Sequence, residues 1–457
     1  MPGVPTVPAA DDEAPEIRGD EPGSFARSVL ENRHPALIEQ VREAFPYGPA
    51  QHEALDTLRA EVTDGVMGPL GADAHDRDRW VEWGCDRYVG RPWGEAPFLW
   101  SESYFYRRLL GAVGYWTPGP WQGMDPFAPF KRAELTTDAV DEELTALDGL
   151  AMLTDGPERR GDEQAYALLL ASLWGNRADL GFRMSAPAAP AAPGPAAGTP
   201  SPAPGSFLPS PGSSSSGGPL VADESSALWS LLPARVDGAP PATERAVHLI
   251  ADNAGRELIP DLVLLDHLLR TGRVTRAVLH VKPCPYYVSD ATLADVVDAV
   301  RRLSGAPGYA AEIGKRLWAT MATGRLGVRA HDFFRAPLPF EAMPDGLRAE
   351  LAGAAVTVVK GDLNYRRLVG DRHWPATTPF AERVAYFPGP VTALRTLKSD
   401  VIVGLGGETL AALEATGEAW RTSGTHGLIQ TRAERTEGTE RTEGTERTEG
   451  TERTEGA

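Results

Sequence analysis

The chain has 457 residues, room for two ordinary domains and a sizeable core. Its formal net charge of −18 leaves no basic surplus to meet nucleic-acid phosphates, and its two isolated cysteines, Cys85 and Cys284, make neither a disulfide scaffold nor a cysteine zinc site. No apolar run reaches the length of a membrane span, and the first residues lack a charged-then-apolar secretory pattern. A soluble, cytoplasmic protein is therefore expected, with neither nucleic acid nor membrane as partner.

Residues 1–22 are rich in Pro, Ala, Asp and Glu and are expected to be disordered. From residue 23 to residue 184 helical patterns dominate. Phe25, Val29, Leu30, Ile38, Val41 and Phe45 recur at amphipathic spacing, as do Leu55, Leu58 and Val62. Trp80, Trp83, Trp93, Trp100, Trp116 and Trp121 crowd one stretch, a density that suits a thick core or a domain interface. Glu102 and the pair Arg107-Arg108 share one predicted helix, where the plain reading is a surface ion pair near i,i+5 or a crossing contact. A further helix through Leu168–Leu173 is expected to end at Gly175. From Ser185 to Pro219 all but Thr199, Phe207 and Leu208 are Ala, Pro, Gly or Ser. That mixture cannot build a core and reads as a disordered insertion, residues 185–219.

From residue 220 to residue 430 strand and helix signals alternate. Val247–Ala251 reads as a buried strand, ending in Asp252-Asn253. Leu258, Ile259, Leu262, Leu265 and Leu269 then recur at helical spacing, and Pro260 fits only the first turn of that helix. Ala277–Lys282 is a second strand, followed by Pro283-Cys-Pro-Tyr-Tyr-Val-Ser-Asp290 and a helix with apolar Leu293, Val296, Val297 and Val300. Ala355–Lys360 is a third strand, running into Gly361-Asp362-Leu363-Asn364-Tyr365-Arg366. A fourth is expected within Asp400–Leu405, just after Leu394-Arg-Thr-Leu-Lys398, and Leu428-Ile429-Gln430 is a candidate last strand. Strands separated by helices imply crossover connections. The expected fold class is α/β: a helical N-terminal domain packed on a Rossmann-like, mainly parallel α/β/α domain. Residues 431–457 form a tail in which Arg-Thr-Glu-Gly recurs every six residues with nothing to bury, so it is expected to be disordered.

Each acid at an elbow has a competing structural reading, since Asp252, Asn253 or Asp290 could cap the helix that follows. Four polar elbows on one sheet are harder to explain as four unrelated caps. In open α/β sheets ligands sit beyond the carboxyl ends of the strands, facing helix N-termini that favour anions. Two acids and an amide can hold a hard divalent cation, and Lys and Arg can meet an anion, which is the equipment of phosphoryl chemistry. His248 and His280, within strands, read as core residues.

These elbows also carry a family resemblance. The motifs are Asp252-Asn253-Ala-Gly-x-Glu257, Lys282-Pro-x-Pro-x-x-Val-Ser-Asp290-x-Thr, Lys360-Gly-Asp362-Leu-Asn-Tyr-Arg366 and Arg395-Thr-x-Lys398, with Glu102-Ser-Tyr-Phe-Tyr-Arg-Arg in the helical half. Together they resemble the damage-control phosphatases of the acidic-residue-methyltransferase-like branch, over about residues 24–430. The resemblance implies a helical part packed on a Rossmann-like part and a divalent metal, Mn, Co, Ni or Mg, bound by Asp252, Asn253 and Asp290. It implies that Asp252, Asn253, Glu257, Asp362, Leu363, Asn364, Tyr365, Arg366, Lys398 and Glu102 meet the substrate, with Asp252, Asp290 and Lys398 serving catalysis. The implied activity is hydrolysis of small phosphomonoesters such as fructose 1-phosphate and related sugar phosphates. The partner is then a small phosphorylated metabolite.

The attacking group is either water activated by the ion or the Asp252 carboxylate, and the sequence supports both. Oxygen-only ligation favours octahedral ions of the Mg or Mn type over tetrahedral zinc. Two other classes compete. A protein carboxyl methyltransferase using S-adenosylmethionine would ordinarily bring a Gly-rich loop after its first strand, and this elbow has only Gly255. A non-catalytic sugar-phosphate-binding protein could keep Lys398 and lose an acid, whereas Asp252, Asn253 and Asp290 are all present.

Overall fold

Seven strands form one sheet in the order β1-β7-β6-β5-β2-β3-β4. They are β1 (Leu220–Asp223), β2 (Ala246–Ile250), β3 (Arg276–His280), β4 (Leu326–Arg329), β5 (Val356–Lys360), β6 (Val391–Thr396) and β7 (Gly427–Arg432). The computed structural model describes residues 14–149, 159–175, 218–234 and 244–434. Nearly all of the expected insertion and the repeat tail from residue 435 lie outside these residues.

Neighbouring pairs from β4 through β6 are parallel, β7 runs antiparallel to β6, and β1 runs parallel to β7. The sheet is mainly parallel, as the alternation of strands and helices predicts. The chain leaves β2 toward β3 and β4, then returns to lay β5 on the other side of β2. The gap between β2 and β5 is thus a topological switch point, where connections diverge and leave a crevice at the carboxyl edge.

Alternation along the strands fills two cores. Val247, Leu249, Ala277, Leu279, Val356 and Val358 pack with the helices Arg159–Gly175, Leu258–Arg270, Leu293–Ser304 and Gly308–Ala322. Ile250, Val359 and Ala393 face the other way, onto Phe334, Phe340, Leu347 and Leu368. Both faces of the sheet are covered, which is why its strands read as continuous apolar runs. The aromatic stretch is a third core: Trp80, Trp93, Trp100, Tyr104 and Phe105 are buried in it, together with Tyr286, Tyr287 and Leu363 from the sheet half.

Several expectations are corrected. No strand lies in Asp400–Leu405, although Val401–Val403 and Leu405 are buried; the strand stands instead at β6, which runs into the elbow through Arg395 and Thr396. Valines at 401 and 403 fill the core without pairing, so apolarity alone misplaced the strand. β1 and β4, too short to show a period, escaped notice. Leu293, expected on the apolar face, is 52% exposed at the first helical position, while Val296, Ala299, Val300 and Leu303 form the buried stripe. The helix Arg159–Gly175, expected in the helical half, buries Leu168, Leu169 and Leu173 against the sheet. For Glu102 and Arg107-Arg108 the crossing contact holds and the surface ion pair does not: Arg107 pairs with buried Asp76, Arg108 with Glu61 and Glu102 with Arg366.

Residues 14–22 also differ from the expected disorder. His373 N–H donates to the Pro15 carbonyl (2.9 Å) and Ile17 N–H to the Asp371 carbonyl (3.3 Å). From the helical half, Phe98 N–H donates to the Ile17 carbonyl (2.8 Å), and Gly19 N–H donates to the Gly94 carbonyl (3.1 Å). Composition promised too little apolar surface for order; backbone hydrogen bonds to both halves supply it instead.

Candidate active site

The loops after β2 and β3 meet first. Ala254 N–H donates to the Ser289 carbonyl (2.7 Å) and Ala291 N–H to the Asp252 carbonyl (2.9 Å), so Asn253 and Asp290 lie opposite one another as an isolated antiparallel bridge. Asp252, Asn253 and Asp290 are 5%, 4% and 3% exposed, which brings two carboxylates and an amide together out of bulk water. None of them caps a helix. The helix after Asp290 is capped by Thr292 in a capping box with Asp295, and the turn at Gly255–Glu257 has no side-chain cap.

Buried cations and amides hold this group. Asn253 Nδ2 donates to Glu257 Oε2 (2.8 Å), and Ser289 Oγ donates to Asn253 Oδ1 (2.7 Å). This fixes the amide with its oxygen toward the Ser289–Asp290 loop. Glu257 is in turn 3.5 Å from Lys360 Nζ, which donates to Asp261 Oδ1 (2.6 Å) and the Ser172 carbonyl (2.7 Å). Burial opposes the charge on Lys360, but Asp261 and Glu257 outweigh it and raise its pKa. Lys282 Nζ lies 3.3 Å from Asp290 Oδ2 and donates to Asn364 Oδ1 (3.4 Å). From the helical half, Lys131 Nζ donates to the Asp290 carbonyl (2.9 Å) and to Asp295 (3.1 Å).

The switch point itself is closed by Gly361. Its φ of +87° and ψ of 171° lie in a region essentially restricted to glycine, and a Cβ there would overlap the Asp252 carboxylate. The helix Asp362–Val369 starts at once, with its N-terminal end on the pocket. Asp362 accepts from Arg395 Nε (2.8 Å), Lys398 N–H (3.2 Å) and Ser399 Oγ (3.1 Å). Burial would raise its pKa, yet Arg395 and Arg366 carry it below the usual value. Asp362 thereby brackets the loop after β6 and sets Lys398 at the rim. Arg395 is spent on this loop, donating also to the Ser399 carbonyl (3.0 Å) and stacking on Tyr365 at 4.4 Å.

One pocket collects several of these groups. Of the sequence-predicted site residues, Glu102, Asp252, Asn253, Asp290, Asp362, Leu363, Arg366 and Lys398 line it. Glu257, Asn364 and Tyr365 do not, and are placed as supports. Asn364 Nδ2 donates to the Ala251 (3.0 Å) and Lys360 (2.8 Å) carbonyls, and Tyr365 OH donates to Gln430 Oε1 (2.9 Å). Glu102 accepts from Arg366 Nη1 and from Tyr287 OH, both at 3.1 Å, and Arg366 forks onto Asp371 at 2.7 and 2.8 Å.

Four further lining residues escaped sequence reasoning: Phe25, Arg33, Tyr287 and Ser289. Tyr287 carries the one positive φ of a non-glycine residue among those described, +52°, a strained conformation of the sort found at ligand sites. Tyr287 and Ser289 sat inside a motif read mainly for its aspartate. Nothing in the spacing around Phe25 or Arg33 marks them.

A second group has ligand-like spacing. His248 Nδ1 and His280 Nε2 are 2.9 Å apart, and Glu350 Oε1 is 4.0 Å from the latter. Burial, helped by Arg329, depresses His248 to about 4 and His280 to about 3. Arg329 also holds the Glu350 carboxylate. None of the three lines the pocket, and the two histidines are buried at 5% and 1% exposure.

Comparison with known proteins gives the family. The family profile described as "Damage-control phosphatase ARMT1-like domain" matches residues 29–413. The rat protein named "Damage-control phosphatase ARMT1" is 30% identical over 454 residues, covering 91% of this chain and 97% of the relative. Its bovine and human namesakes are 30% and 28% identical, covering 89% and 91% of this chain and 96% and 97% of their own. A crystal structure of a DUF89 family protein from Pyrococcus horikoshii is a distant likeness, with TM-score 0.40, 12% identity, and coverage of 82% of this chain and 90% of that one. With the family profile spanning both halves and the pocket between them, the chain belongs to the damage-control phosphatase family, ARMT1-like.

Proposed function

We propose that this protein hydrolyses small phosphomonoesters, fructose 1-phosphate and related sugar phosphates among them, with a divalent cation held by Asp252, Asn253 and Asp290. The observation that carries the reading is the convergence of these three oxygen donors with Lys398 in one pocket at the switch point. The donor set fits a hard ion. All three are oxygens, and two carboxylates share one buried crevice, where Lys282, 3.3 Å from Asp290, offsets part of their repulsion and a bound cation would offset more. The oxygen set suits Mg, Mn or a similar octahedral ion. When bound, the ion supplies charge compensation for a phosphate dianion and a site for activating water.

The chain's own residues do the rest. Lys398 sits where Asp362 holds its backbone, as a compact cation for a phosphate oxygen. The helix beginning at Asp362 turns its N-terminal end to the same anion. Asp252, packed on Gly361, is fixed in place either to orient water or to attack the phosphorus. Glu102, Arg366 and Tyr287, bonded to one another, also line the pocket. The test is phosphate release from a panel of phosphate esters with and without Mn, run beside methyl transfer from labelled S-adenosylmethionine. Mn-dependent release without methyl transfer is expected. Methyl transfer alone would replace this reading with the methyltransferase one.

A further inference from the structure

We propose that Arg33, seated with Phe25 on the N-terminal wall of the pocket, is a specificity-determining residue that reads the hydroxylated carbon skeleton of the ester. The proposal rests on the phosphatase reading above and adds to it the part of the substrate that is not phosphate.

The placement of Arg33 has a local cause. Pro35 lacks an N–H and cannot close the ordinary bond to the carbonyl of Glu31. The chain answers with one π-helical turn, Val29–Arg33, set between the α-helical segments Phe25–Ser28 and His34–Ala44. His34 N–H donates to the Val29 carbonyl, five residues back. Such turns shift the phase of a helix and recur at functional sites. Here the shift lets two successive residues serve opposite environments. His34 is fully buried, stacked on Phe105 with centroids 3.7 Å apart, while Arg33 lines the pocket.

The surroundings hold that turn against both halves of the protein. The strand-like arm before it is bonded to Asp371 and His373 on one side and to Gly94 and Phe98 on the other. Asp371 is the residue that grips Arg366, and Arg366 grips Glu102. Arm, Asp371, Arg366 and Glu102 are therefore joined by one run of hydrogen bonds.

Chemical complementarity selects the ligand group. The proposed metal ligands and Lys398 come from the carboxyl edge of the sheet, so the phosphate belongs there. Phe25 and Arg33 come from the first helical turns of the chain and meet what remains of the ester. The lining includes a donor, Arg33, an acceptor, Glu102, and the rings of Phe25 and Tyr287. Hydroxyls both donate and accept, and the C–H faces of a sugar suit aromatic rings. A carboxylate would meet repulsion from Glu102, and an aryl group has no hydroxyl for Arg33 to meet.

The experiment uses the full-length, Mn-supplied protein as wild type, Arg33→Ala, Arg33→Gln and Arg33→Lys. Steady-state kinetics are measured on fructose 1-phosphate, p-nitrophenyl phosphate and 3-phosphoglycerate, with melting curves confirming the fold. Losing a charge-assisted hydrogen bond to the sugar raises KM for fructose 1-phosphate by roughly tenfold to a hundredfold in the Ala and Gln variants. Its kcat, and kcat/KM for the aryl ester, stay within about threefold, and Arg33→Lys recovers part of the loss. An equal fall on the sugar and aryl esters, no fall on either, or the largest fall on 3-phosphoglycerate overturns the proposal while the phosphatase reading stands. A wild-type protein that releases phosphate from none of the three removes that reading, and this proposal with it.

Discussion

Replacing Gly361 with alanine tests whether the switch point is built around Asp252. The wild-type backbone there, φ +87° and ψ 171°, costs an L-residue about 1–3 kcal/mol. The added Cβ would also overlap all three carboxylate atoms of Asp252. The backbone cannot easily yield, because Gly361 N–H donates to the Leu394 carbonyl (2.9 Å) and its carbonyl accepts from Tyr365 N–H (3.1 Å). The Asp252 side chain must therefore swing away. Melting should fall by roughly 2–4 °C for each kcal/mol of strain. Turnover should fall on the order of a hundredfold, as expected when a reacting group is displaced by about an ångström. Calorimetric titration with Mn should show weakened affinity in step with the rate. A Gly361→Ala protein that binds Mn and turns over like wild type would refute the placement of Asp252.

Two further outcomes follow from the same geometry. Lys398→Ala should cut turnover roughly 30- to 1,000-fold yet leave Mn affinity near wild type, since loss of one phosphate contact is worth about 2–4 kcal/mol at the transition state. Asp290→Ala should instead lose metal affinity, and parallel calorimetry and rate measurements separate the two roles. Away from the site, Arg107 and Arg335 overcome the cost of burying Asp76 and hold its pKa at about 2, against 3.8 in the unfolded chain. A depressed carboxyl pKa contributes stability above the unfolded value and loses it as pH falls through the folded one. Asp76→Asn should thus cost about 2 kcal/mol at pH 7, with the gap to wild type narrowing from pH 4 toward pH 2 in urea unfolding curves.

The sheet half was largely legible because each strand ends where chemistry begins. Val247–Ala251 and Ala355–Lys360 are bounded by Asp252 and Gly361, and both strands stand within one residue of their expected bounds. Lys398 was legible as a residue but not in its setting: Val401–Val403 is wholly apolar while Val391–Thr396 carries Thr392, Arg395 and Thr396, so the less apolar segment is the strand and only hydrogen-bond pairing reveals it. Asn364, Tyr365 and Glu257 share motifs with pocket residues, yet helical geometry turns them into supports, a distinction that sequence adjacency conceals. Lys131 and Asp261 gave no signal, and Lys360 showed only as the start of a motif, because their partners are remote: Lys131 reaches Asp290 across 159 residues, and Lys360 reaches Asp261 across 99. Arg33 was invisible for another reason. A π turn forced by Pro35 changes which face a residue takes, and no 3.6-residue period anticipates it.

The location of the cation is the central claim, and anomalous scattering from a crystal of the full-length protein soaked with Mn measures it directly. A peak is expected in the pocket, bounded by Asp252, Asn253 Oδ1 and Asp290, at about 2.0–2.4 Å from each oxygen. The Asp290→Ala protein should show that peak weakened or gone. A single strong peak at His248, His280 and Glu350, with the pocket dark, would contradict the account.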